Sequence, residues 1–137
     1  MATYAQYRFF STLAEVALDA AMEVDCMRRG KEIDQTAPGE FLNVLKEHLG
    51  AARQGDVMSV TCVHQLYAVA VEETEGRIRT VSELLEAFER WIKRCEDAIE
   101  SREPDGLKRL MEEMLAAHSF AISRLHEAVR ERRGRAA

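Results

Sequence analysis

The chain has 137 residues, 47% hydrophobic and 31% charged, enough for one domain whose core needs neither disulfides nor a structural metal. Its formal charge of −5 argues against general binding to nucleic acid, which rests on a surplus of Lys and Arg. With only 7 Gly and 2 Pro, turns are scarce, so long helices are expected over a many-stranded sheet.

The first helix is expected over Tyr4–Arg29. Phe9, Leu13, Val16, Ala20, Val24 and Met27 recur at steps of three or four and fall on one face. Glu15, Asp19, Glu23 and Asp25 face away, and Gly30 follows Arg28 and Arg29 as a C-cap. Residues 31–37 read as a polar loop that closes on Pro38-Gly39. Pro38 suits a first helical position, and Phe41, Leu42, Leu45 and Leu49 give a shorter helix to about Gln54, stopped by Gly55.

From Val57 to Arg102 an apolar stripe runs through Val60, Val63, Tyr67, Ala70, Thr74, Ile78, Val81, Leu85, Phe88, Ile92, Cys95 and Ile99. Asp56 can cap its start, and two successive steps of four around Thr74 form a stutter in a coiled-coil-like pattern. Glu73–Arg77, Glu75–Arg79, Glu86–Arg90 and Glu89–Lys93 pair opposite charges in the favourable order. The stripe predicts one long helix, bent near Gly76. Against continuity stand Gly76 itself and Thr80-Val81-Ser82-Glu83, which has the form of a capping box. The Val- and Thr-rich stretch 57–71 also admits a strand, although fifteen residues is far above the usual strand length. A last helix is expected from Asp105 to about Arg133, buried through Leu107, Leu110, Met111, Met114, His118, Ala121, Leu125, Ala128 and Val129. The expected architecture is therefore all-α: an antiparallel four-helix bundle forming a single domain, with one long helix.

The search for chemistry is mostly exclusion. Cys26, Cys62 and Cys95 are odd in number and form no CxxC pair, which fits free thiols in a reducing compartment better than a disulfide framework. No apolar run reaches the roughly 18 residues of a membrane span. The N-terminal segment carries Arg8, Glu15 and Asp19 among its apolar residues, unlike a signal peptide, so a cytoplasmic location is expected.

Helical metal sites need ligands three or four apart. The residues three before the histidines are Leu45, Thr61, Leu115 and Ser123, so no Glu-x-x-His exists. No metal or cofactor is expected. Gly55, Gly76 and Gly106 are isolated and make no phosphate loop. Glu72-Glu73 and Glu112-Glu113 are adjacent, diverge on a helix, and read as solvated faces. Arg130, Arg132, Arg133 and Arg135 crowd the last helix and suit its C-terminal dipole; nucleic-acid contact is the weaker reading.

The segment Val57–Val71 places apolar side chains around nearly its whole circumference, and a helix apolar all round must be buried all round. A helix near 69 Å long, at about 1.5 Å per residue, would outrun its partners. A second protein surface is then the economical cover, most simply another copy of the chain in a two-fold dimer. The expectation is a non-enzymatic interaction protein, an adaptor, chaperone or regulatory bundle acting as a homodimer and holding a partner protein. Val60, Val63, Leu66, Tyr67, Val71, Phe88, Trp91 and Ile92 are its interface candidates. The alternative is a ligand-binding or catalytic bundle with His64, Cys95 and His118 lining a pocket between helices.

Overall fold

The computed structural model describes residues 4–31, 36–71 and 78–136. They form five helices: α1 (Tyr4–Arg28), α2 (Thr36–Arg53), α3 (Val57–Val71), α4 (Val81–Ser101) and α5 (Pro104–Ala136). No strand occurs among the described residues, so the all-α expectation holds and the strand alternative for 57–71 does not. The four-helix count does not hold.

The punctuation residues act as their chemistry requires. Gly30 and Gly55 take φ of 77° and 89°, the left-handed region where a Cβ is penalised. They end α1 and α2. Asp56 starts α3: its carboxylate accepts from the Met58 N–H at 3.2 Å and the Ser59 hydroxyl at 2.9 Å, meeting a backbone donor that has no partner within the helix.

The expected long helix over 57–102 is corrected to two. α3 ends at Val71, Ile78 and Arg79 are not helical, and Thr80 is the extended N-cap of α4. The Thr80 Oγ1 accepts from the Glu83 N–H at 3.1 Å, and Glu83 reaches back to accept from the Arg79 N–H at 3.0 Å. This is a capping box displaced by one residue on its return arm. Gly76 and the stutter at Thr74 lie outside the described residues. The apolar stripe keeps its phase because α3 and α4 present it to the same core, and phase alone cannot report that the chain leaves the helix between them.

α1 and α5 pack side by side in opposite directions. His118 Nδ1 lies 3.0 Å from the Ala14 carbonyl, while the Phe10 ring meets Phe120 edge-on and the Arg124 guanidinium. α2, α3 and α4 close the other side. Trp91 and Phe88 of α4 pack edge-on or tilted against Tyr67 of α3, and Trp91 also meets Phe41 of α2. Outside this core, Lys46–Glu96 and Arg53–Glu89 tie α2 to α4. Both pairs are exposed, so each contributes at most about 1 kcal/mol.

Candidate interaction surface

The interface candidates are largely core. Val63, Leu66, Tyr67, Phe88, Trp91 and Ile92 are buried within the single chain, and Val60 and Val71 are partly buried against the same cluster. The inner side of α3 is covered because three helices of its own chain, α2, α4 and α5, pack on it and bury Cys62, Val63, Leu66, Tyr67 and Ala70. A second protein is not needed to bury the eight interface candidates, and none of them offers an exposed anchor.

The pocket candidates do not converge. His64 is exposed on the outer side of α3, Cys95 is buried on α4, and His118 is turned to the Ala14 carbonyl of α1. Burial pushes the Cys62 thiol up to about 11, and Cys95 is raised as well by burial and then by the nearby Glu113 charge. Such thiols stay protonated and unreactive near neutrality. Among the described residues no group of three His, Cys, Asp or Glu is placed to hold a metal ion.

One reading of the sequence needs correction inside the core. Glu112 is exposed as expected, but its neighbour Glu113 is buried, at 7% exposure. Glu113 sits three residues after Leu110 and four before Ala117, both buried, so it lies on the inward stripe of α5. The Arg94 guanidinium approaches its carboxylate to 3.4 Å and Arg109 to 3.7 Å, longer than a good charge-assisted bond. The Trp91 indole also favours the charged form, although its N–H has no partner in hydrogen-bond geometry. Burial outweighs all three and holds the Glu113 carboxyl above its ordinary range. Beside it, a cleft of about 180 Å³ is lined by Ala70, Val71, Arg109, Glu112, Glu113 and Ala116.

The outer side of α3 is the most unusual part of the described surface. Between Val57 and Val71 the helix carries no Asp, Glu, Lys or Arg, in a chain that is 31% charged. Val57 is 73% exposed, Val69 42%, and His64 is exposed between them, with Thr61, Gln65 and Ala68 half-buried on the same side. Val57, Thr61, His64 and Ala68 follow steps of four, three and four, the spacing of a helix-packing seam. Other exposed apolar residues differ in setting. Leu18 and Met22 on α1 stand among exposed or half-exposed Glu15, Asp19 and Glu23, as scattered apolar residues commonly do.

No family model, no curated protein and no solved structure matches this chain.

Proposed function

We propose that this protein is a non-enzymatic interaction module, an adaptor, chaperone or regulatory bundle, whose docking face is the outer side of α3. The observation that carries the reading is a helix of 15 residues with no charged side chain whose outer side is exposed at Val57, His64 and Val69. Interface centres are depleted of charge, because each charge buried there must be desolvated and matched. The rest of the bundle supplies the rigid frame: α3 is anchored from behind by Leu66, Tyr67, Phe88 and Trp91.

The test is site-specific photo-crosslinking in the native host, with the probe at Ala68 on α3 and a control at Lys93 on the exposed side of α4. Protein adducts from position 68 and none from position 93 support the reading. Absence of adducts at 68 in a well-expressed chain overturns it.

A second reading, a ligand site between helices, has one observation in its favour: the buried Glu113 beside its cleft. That cleft is smaller than the ~300–1,000 Å³ of most ligand pockets, and a more open one of about 450 Å³ between α2 and α4 has as its charged lining only the exposed Glu96, Glu100 and Arg102, so the α3 face is the stronger candidate. The chain's one tryptophan would report occupancy directly, through a saturable change in Trp91 fluorescence on adding a candidate ligand.

A further inference from the structure

We infer that the occupant of the α3 face is a second copy of this chain, with the two α3 helices packed antiparallel about a two-fold axis between Cys62 and Val63. The inference rests on the docking reading above and names its partner. Three observations lead to it.

The first is the lack of charge along α3. A two-fold brings a surface against itself, so any charge near the axis meets its own kind, at a cost of several kcal/mol. α3 has no such charge to place there.

The second is the seam. An antiparallel two-fold centred between Cys62 and Val63 sets Val57 against the partner's Ala68, and Thr61 against the partner's His64. The most exposed valine of the helix thus meets its small Ala, the large-into-small fit that lets helices approach closely. The Thr61 hydroxyl already donates to the Val57 carbonyl at 3.0 Å. Its lone pairs are then directed to accept from an imidazole N–H.

The third is charge complementarity on the flank. α5 runs opposite to α3: Arg124 acts on the Cys62 thiol, while Glu112 lines the cleft beside Val71. Near the C-terminal end of α3, α5 carries exposed Glu112 beside Lys108 and Arg109, and beyond the N-terminal end of α3 it carries exposed Arg130 and Arg133 beside Glu127 and Glu131; within the chain Arg109 is turned to Glu113, and Glu127 to Arg124. An axis in the interface plane, perpendicular to α3, keeps the two α5 helices on one side and reverses their directions. Glu112 of one copy then approaches Arg130 and Arg133 of the partner subunit.

A seam about 17 Å long from Val57 to Ala68, at 1.5 Å per residue, buries less than the ~800 Å² per partner of a standard stable interface. The dimer is accordingly weak and concentration-dependent, and the flanking charges make it weaker in high salt.

Sedimentation velocity of the full chain over a wide concentration range is the test. The expected result is a reversible monomer–dimer equilibrium. His64→Glu places like charges about the axis and should raise the dissociation constant at least about tenfold. Val57→Glu should do the same while keeping the helix, since an acid in the first turn suits its dipole. Far-UV circular dichroism verifies that both variants remain folded. Glu112→Arg and Arg133→Glu should each weaken the dimer, and the double variant should recover it.

A chain that stays monomeric at every concentration overturns the inference. So does a dimer indifferent to His64→Glu and Val57→Glu, or a double variant no better than its parents. Adducts from Ala68 to a different protein, with a monomeric purified chain, overturn the second copy and leave the docking reading standing.

Discussion

Leu66→Ala separates a core role for α3 from an interface role. Leu66 is fully buried within the single chain, so truncation removes its contacts whether or not a second chain is present. Three carbon atoms leave the core, worth about 2.4 kcal/mol at ~0.8 kcal/mol each. Incomplete collapse around the cavity brings the expected loss to about 3–4 kcal/mol, within the range of buried Leu→Ala changes. Against a typical total of about 5–15 kcal/mol, that is a large fraction and should lower the melting temperature by roughly 10–15 °C. The assay is urea denaturation followed by far-UV circular dichroism, at two protein concentrations tenfold or so apart. The midpoint should fall by the same amount at both. A loss under about 1 kcal/mol, or one that grows on dilution, would show that Leu66 is covered by another chain and refute the packing described for α3.

Three further outcomes follow from particular contacts. Glu113 has a raised folded-state value, so the folded chain holds that proton more tightly than the unfolded chain. Its contribution to stability is full below the ordinary value of 4.5 and is lost as pH rises through the folded value. Glu113→Gln should therefore match or exceed the parent in urea midpoint at neutral pH and show a flatter midpoint–pH profile from about pH 4.5 upward. A clear loss at neutral pH would mean that the Arg94 and Arg109 contacts outweigh burial. Thr80→Ala removes the acceptor for the Glu83 N–H and should cost about 1 kcal/mol, while Thr80→Ser should cost little; equal losses would deny the cap. In thiol titration of the native chain near neutral pH, the half-buried Cys26 should react first. Cys62 and Cys95, buried and with raised values, should react only on unfolding.

The sequence carried helix identity well and helix continuity poorly. The phases of Leu13, Ala17 and Val24, and of Leu107, Leu110 and Met114, point these residues inward, and they are buried. Gly30, Gly55 and Asp56 mark real ends because their signals are local and stereochemical. The stripe from Val60 to Ile99 misleads because a hydrophobic period says which face is buried and nothing about whether the axis continues. There the local signal, Thr80 followed by Glu83, outranks the long-range one.

The apolar circumference of α3 was legible, but its cover was not. Which of α2, α4, α5 or a second chain surrounds a helix depends on packing that no window of sequence contains. Glu113 could have been found, since its offsets from Leu110 and Ala117 place it inward. Its adjacency to Glu112 hid it. The missing charge on α3 is plain in the sequence, yet it gains meaning only once His64, Val57 and Val69 are known to lie outside.

The most direct test of the docking account is the elution of the tagged chain from fresh host extract, compared between the parent and His64→Glu. The account predicts that the parent elutes above the mass of its own tagged monomer and that His64→Glu shifts to the monomer position with its helical content intact. Monomer elution by both, or an unchanged assembly in His64→Glu, would contradict the claim that the outer face of α3 is where this protein docks.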